Sequence, residues 1–182
     1  VLILGSGSET RAKILKEAGI DFVQKPCDFD EEAITQSVPE NFVYHAAMGK
    51  MKACEEALGL ETPLLSADTV VTAAGEILRK AADEAEAREI LAKQSGEEVA
   101  IITCMVYKSV HKMFVDLSVT TYRFAPFDPD ALERYLASGE WRGKAGACMV
   151  EGFCKPYILE VRGYESCAMG LTVEKLVPWI ER

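Results

Sequence analysis

Pro63-Leu64-Leu65-Ser66-Ala67-Asp68-Thr69-Val70-Val71 reads as an interior β-strand with one residue out of place. The run is almost continuously apolar or small, as in a strand buried on both faces. Asp is depleted in strand interiors, so an ionised Asp68 needs a metal ion, a cation or several hydrogen-bond donors around it. Immediately downstream, Thr72-Ala73-Ala74-Gly75-Glu76 reads as a hairpin turn into a short strand at Ile77-Leu78.

Working outward, residues 1–4 and 22–24 read as strands around a helix that Ser8 caps and that runs to Gly19. Ser37 with Glu40 makes a capping box ahead of a helix over 42–58, and Asp83 with Glu86 makes another whose helix stops at Ser95-Gly96. Strands over 99–107 and 113–124 flank a longer hairpin at 108–112. Asp128-Pro129 opens a helix that Gly139 closes. A strand over 157–161 and a last helix from Thr172, carrying Val173, Leu176, Val177 and Ile180, complete the chain. Helices alternate with strands in the first half and hairpins dominate the middle, which predicts an α/β fold with a mixed sheet in a single domain, 1–182.

A length of 182 residues suits one domain with a real core. The chain opens without Met, so at least one residue is expected ahead of Val1, and Val1-Leu2-Ile3-Leu4-Gly5 is too short for a signal peptide. No run approaches the roughly 18 apolar residues of a membrane helix, so no membrane partner is expected. The net charge of −9 argues against broad nucleic-acid binding, which wants a basic face. A small phosphorylated ligand needs only a local cationic pocket, or a metal ion held by carboxylates. Six cysteines without C-x-x-C spacing, and only two histidines, argue against zinc. They read as free thiols, most of them buried, in a reducing cytosol, not as disulfides.

Other residues also break local rules. Arg11 extends the stripe of Ile14, Leu15 and Ala18, and lies in a first helical turn where the macrodipole disfavours a cation. Either it snorkels to solvent, or it shares a bound anion with the free N–H groups of that helix. Gly5-Ser6-Gly7-Ser8 leads into the same turn; small residues let a phosphate approach, and two hydroxyls can donate to it. It is neither a P-loop nor a dinucleotide fingerprint, since Thr10 stands where the third Gly would be. Lys50 sits on the stripe of Ala46, Ala47, Ala53 and Cys54, whereas Lys52 points off it. Lys50 therefore snorkels or faces a cleft. Asp28-Phe29-Asp30-Glu31-Glu32 adds carboxylates that would pass for a solvated loop on their own. No G-x-S-x-G elbow exists, and neither histidine is placed for a hydrolase triad.

Taken in order, these segments resemble the Maf family, the septum-formation-inhibitor-like nucleotide pyrophosphatases. Its S-x-S-P-R-R opening resembles Ser6-Gly7-Ser8-Glu9-Thr10-Arg11, its D-x-D-E resembles Asp28-Phe29-Asp30-Glu31, and its G-A-D-T strand resembles Ser66-Ala67-Asp68-Thr69. Its G-E-x-L-x-K-P resembles Gly75-Glu76-Ile77-Leu78-Arg79-Lys80-Ala81. Its L-S-G, K-A-G and G-L-P segments look like Gln94-Ser95-Gly96, Lys144-Ala145-Gly146 and Gly170-Leu171-Thr172. The resemblance spans nearly the whole chain. It implies a fold like that of the inosine-triphosphate pyrophosphatases, a mixed twisted sheet with flanking helices and a cleft between two lobes. It implies hydrolysis of a nucleoside triphosphate to the monophosphate and pyrophosphate, with Mg²⁺ or Mn²⁺, in a cytoplasmic homodimer. It also implies house-cleaning of non-standard nucleotides and a link to cell-division arrest.

Carried over residue by residue, Asp68 is the general base and Glu31 helps hold metal or water, with both as metal ligands. Lys50 and Lys80 belong with them to the catalytic set. Ser6, Ser8, Thr10, Arg11, Thr69, Lys144 and Glu151 bind substrate. The chain departs from the family at Glu9 and Thr10, at Ala81, and at Glu151, where pyrimidine-preferring members carry Gln and members like the 7-methyl-GTP pyrophosphatase carry Glu. A carboxylate accepts two donors from a guanine edge and none from a pyrimidine O4, so a purine or modified purine is the expected base. Two rival readings share the pocket: a phosphohydrolase releasing orthophosphate, and a non-catalytic nucleotide-binding regulator of cell division.

Overall fold

A computed structural model describes residues 1–180. The chain forms a mixed α/β structure whose seven-stranded sheet has the order β2-β1-β3-β5-β6-β7, with β4 on β3. The strands are β1 (Leu2–Leu4), β2 (Phe22–Gln24), β3 (Leu64–Ala73), β4 (Glu76–Leu78), β5 (Glu98–Lys108), β6 (Met113–Phe124) and β7 (Ile158–Arg162). The helices are α1 (Glu9–Glu17), α2 (Pro39–Leu58), α3 (Glu84–Ala92), α4 (Pro129–Ser138), α5 (Glu165–Ala168) and α6 (Val173–Leu176). Two compact units divide these elements. The first holds Val1–Thr69, Ile102–Val119 and the segment from Tyr164; the second holds Val70–Ile101 and Thr120–Gly163.

In the first unit, β1 pairs in parallel with β2 (Leu2↔Phe22) and with β3 (Ile3↔Leu64), as crossover connections through α1 and α2 require. Leu2, Leu4, Leu65, Ala67, Met105 and Tyr107 of the sheet pack with Ile14 and Leu15 of α1 and with Leu171 and Leu176. Ile14 and Leu15 form the apolar face that the helix spacing predicted for α1, whereas Ala18, expected on it, is the exposed C-cap. The second unit is built on hairpins and aromatic rings. Pairing of Ala73 with Glu76 leaves Ala74 and Gly75 as a two-residue turn, at φ 52° and 78°, the conformation that a right-twisted hairpin prefers. Phe127 packs against Phe124, Phe153 and Tyr157 at centroid distances of 5.7, 5.3 and 5.0 Å.

Three expectations need correction. The cap of α2 is Val38, without a side-chain bond, because Pro39 fixes the first helical φ one residue beyond the expected Ser37–Glu40 box. The last helix is only Val173–Leu176, followed by a 3₁₀ turn at Val177–Trp179, since Pro178 cannot donate the bond that would extend it. Four cysteines are also paired, Cys27 with Cys54 and Cys148 with Cys154, while Cys104 and Cys167 are buried thiols outside these disulfides. The pairing removes the ground on which free thiols pointed to a reducing cytosol. Among the described residues, no helix is long and apolar enough to cross a membrane.

Candidate active site

Asp68 is buried in β3, and its partner is Lys50. The Lys50 Nζ donates to Asp68 Oδ1 at 2.7 Å and lies 2.5 Å from Glu31 Oε1. Local sequence explains the meeting. Ser66 Oγ donates to the Ala47 carbonyl at 2.9 Å, fastening β3 to α2. Two residues along the strand returns to the same face, and three along the helix returns to the same side. Asp68 and Lys50 therefore face each other. Glu31 arrives from a different direction. Gly49 lets the Phe29 ring lie directly on α2, where any Cβ would clash with it. Cys27–Cys54 ties the same segment to α2 one turn beyond Lys50. Asp30 accepts from the Glu32 N–H at 3.0 Å, capping the 3₁₀ turn Glu31–Ala33.

Burial is the main force raising the Asp68 carboxyl above the ordinary aspartate range. The Lys50 charge and hydrogen bond oppose that rise, Glu31 adds to it, and Arg11 opposes it more weakly. Neither Asp68 Oδ2 nor Glu31 Oε2 accepts a protein hydrogen bond among the described residues. A buried carboxylate keeps one oxygen for chemistry.

Arg11 does not follow the first of the two fates that the sequence left open. It does not snorkel, being only 9% exposed. Its guanidinium donates to three neutral oxygens: Nε to the Gly170 carbonyl at 2.7 Å, Nη1 to Ser6 Oγ at 3.0 Å, and Nη2 to Thr69 Oγ1 at 3.1 Å. Desolvation lowers its proton affinity, while Asp68 and Glu31 raise it. Among the described residues it forms no salt bridge, so a buried cation stands without a paired anion. Ser6 Oγ also accepts from the Ser8 N–H at 3.2 Å. Both lone pairs of that hydroxyl are taken, which leaves its proton to donate elsewhere. Ser8 caps α1 by accepting from the Arg11 N–H, and Thr10 lies half-buried in the first turn. Ser6, Ser8, Arg11, Lys50, Asp68, Thr69 and Glu31 all belong to the first unit.

The remaining predicted residues belong to the second unit. Lys80 is exposed, and its backbone bridges Ala145 in antiparallel register, which sets it beside Lys144-Ala145-Gly146. Gln94 fixes that segment by donating to the Gly146 carbonyl at 2.6 Å. Glu151 is exposed inside the loop that Cys148–Cys154 closes. Among the described residues, Lys80, Lys144 and Glu151 form no salt bridge.

Sequence reasoning missed Thr103, which bonds Thr69 at 2.8 Å and donates to the Cys167 carbonyl at 2.7 Å. Threonine is an ordinary strand residue, so nothing marked it. Ser66 carried a faint signal as a hydroxyl in an apolar run.

A family model described as Maf-like protein matches residues 1–182. A nucleoside triphosphate pyrophosphatase of Nitratiruptor sp. is 62% identical over 95% of this chain and 95% of its own length. One of the same name from Helicobacter pylori (strain Shi470) is 42% identical over 97% and 93%. Another, from Campylobacter jejuni, is 36% identical over 99% and 100%. The Ham1 protein of Staphylococcus aureus shares the fold at a TM-score of 0.50 and 15% identity, over 68% of this chain and 71% of that one. Matched from end to end by the family model and by these relatives, the chain belongs to the Maf-like protein family.

Proposed function

We propose that the chain hydrolyses a nucleoside triphosphate to the monophosphate and pyrophosphate, with Asp68 as general base. The observation that carries this reading is the buried Asp68 carboxyl, held by Lys50 at 2.7 Å and raised by burial above the ordinary aspartate range. A base with a raised pKa takes a proton from water more readily near its working pH. The water oxygen then bonds to the α-phosphorus, the α–β bridge breaks, and pyrophosphate leaves with the bond electrons. The proton passes to the free Asp68 oxygen. The ammonium of Lys50 has three donors and spends two on Asp68 and Glu31. The third is available to a phosphate oxygen. Arg11 and the uncommitted Ser6 hydroxyl proton favour the same anion, and Ser8 and Thr10 lie in the same turn. Lys80 and Lys144 as phosphate ligands, and Glu151 as base selector, rest on the family resemblance.

The donor set suits a hard divalent cation. Mg²⁺ commonly takes one or two carboxylates and fills its shell with water and phosphate oxygens; Glu31 Oε2 is uncommitted, and Asp68 Oδ2 has a second lone pair beside the one that takes the proton. When bound there, Mg²⁺ or Mn²⁺ supplies charge neutralisation to the phosphates. A homodimer acting on non-standard nucleotides in the cytoplasm, with a role in division arrest, completes the proposal by resemblance alone.

The test is pyrophosphate release from a panel of triphosphates, 7-methyl-GTP included, with Mg²⁺ or Mn²⁺, by wild type and Asp68→Asn. Release by wild type that is lost in the variant supports the reading. Orthophosphate as the only product, or no release by a folded protein, refutes it in favour of the rival readings.

A further inference from the structure

We propose that Thr103 is a positioning residue for triphosphate binding, acting on Arg11 through the Thr69 hydroxyl that lies between them. The inference rests on the phosphate role given to Arg11 above. Its support is a proton count. Thr103 Oγ1 is fully buried and donates to the Cys167 carbonyl at 2.7 Å. A hydroxyl has one proton, so in the 2.8 Å contact between the two threonines Thr69 is the donor. Thr69 must then accept from Arg11, and a guanidinium can only donate, which is the 3.1 Å bond observed. The relay runs one way, from Arg11 to Thr69 to Thr103 to the Cys167 carbonyl. It leaves Thr69 without a proton for substrate, so Thr69 acts as a link and not as a ligand.

The anchor of the relay is shared. The Cys167 carbonyl also accepts from the Gly170 N–H at 3.0 Å, and the Gly170 carbonyl accepts from Arg11 Nε at 2.7 Å. The turn after α5 thus holds the guanidinium twice, once directly and once through the threonines. Gly170 is at φ +105°, and a Cβ there would come within 3.1 Å of Arg11 Nε and 3.4 Å of Thr69 Oγ1. Only a glycine lets the turn come this close. Three bonds to neutral acceptors fix the guanidinium plane without cancelling its charge, which is what a preorganised anion ligand requires.

Thr103→Val keeps the shape and removes the hydroxyl, and the Cys167 carbonyl retains the Gly170 N–H. Thr103→Ser keeps the hydroxyl. The probe is inorganic tripolyphosphate, which has no base and can be titrated calorimetrically, alongside KM and kcat for the best nucleotide of the panel. Thr103→Val is expected to weaken tripolyphosphate about fivefold, the size of one hydrogen bond between neutral groups. It should raise KM similarly and leave kcat within about threefold, the pattern of lost uniform binding. Thr103→Ser should restore both. In an Arg11→Lys background, which lacks the fork, Thr103→Val should add nothing. If Thr103→Val does not fold, Thr69→Val breaks the same relay one link nearer Arg11 and carries the same expectations. Unchanged tripolyphosphate affinity, or effects that add to those of Arg11→Lys, would overturn the relay while pyrophosphate release by wild type leaves the proposed activity standing. Wild type that neither binds tripolyphosphate nor releases pyrophosphate would sink both.

Discussion

Lys50 and Lys80 are both cations that the sequence offers to phosphate, and the molecule holds them in opposite ways. Lys50 reaches out from α2 with 19% of its side chain exposed and is spent on two carboxylates before any ligand arrives. Lys80 is exposed, fixed only by its backbone bridge to Ala145, and forms no salt bridge among the described residues. The first unit therefore carries a preassembled charge network in which removing one member strands another. Lys80 and Lys144, the phosphate candidates of the second unit, are held in no such network among the described residues. Mutations should separate these two kinds of site.

The largest expected effect is on Asp68. Asp68→Asn should lower kcat by about 10³, within the usual range for a lost general base, with little loss of stability. The sign follows from linkage. Its folded-state pKa lies above the unfolded value, so between the two values the folded state binds more protons. Stability then falls as pH rises through that window. An uncharged side chain removes that penalty. The acid limb of kcat/KM in wild type should accordingly lie above the ordinary aspartate range. A limb at the ordinary value, or a kcat that survives the substitution, would break the contrast at its strongest point.

Lys50→Met comes next and should harm both readouts. Losing its cation drives the Asp68 carboxyl further up and should move the acid limb to higher pH. The accompanying loss of phosphate binding should cost about 10²-fold in kcat/KM. Stability should fall by about 2 kcal/mol, because a buried carboxylate loses its partner, the figure being reduced for the partial exposure of Lys50. Urea midpoints measure that fall. Lys80→Ala, by contrast, should raise KM about tenfold with stability unchanged within about 0.5 kcal/mol. Equal destabilisation by the two lysine variants would show that the distinction between network and solvated cation is wrong.

The same contrast explains what the sequence disclosed. Asp68 and Lys50 could be found because each violates a pattern, an acid inside a strand and a lysine on an apolar stripe. The strands were legible for the same reason: β2 and β6 have the expected bounds, and the tight turn at Ala74-Gly75 follows from its composition. What stayed hidden was written in topology. Cys27 and Cys54 are 27 residues apart and meet only because Phe29 docks on Gly49 of α2. Thr103 is an unremarkable strand residue until the turn after α5 supplies its acceptor. Arg11 was visible as an anomaly with Ser6 in its own segment, yet its other acceptors, Thr69 and the Gly170 carbonyl, lie 58 and 159 residues away, and no spacing links them. Lys80, Lys144 and Glu151 break no pattern and were legible only through the family segments.

Glu151 gives the smallest and most selective test, since an exposed side chain can change preference without changing the scaffold. It lies midway between Cys148 and Cys154, in a loop that their disulfide closes. A Glu carboxylate offers acceptors alone, whereas a Gln amide offers one acceptor and two hydrogens. If Glu151 reads a guanine edge, Glu151→Gln replaces one favourable pairing by a mismatch, while a pyrimidine O4 gains a donor. The ratio of kcat/KM for 7-methyl-GTP over UTP should then fall about tenfold, the worth of one hydrogen bond to a charged group. The catalytic pH profile should stay put, because Asp68 and Lys50 belong to the other unit. A changed ratio with an unmoved acid limb would make base choice separable from phosphate chemistry. An unmoved ratio would remove Glu151 from recognition and leave the loop only its disulfide to explain.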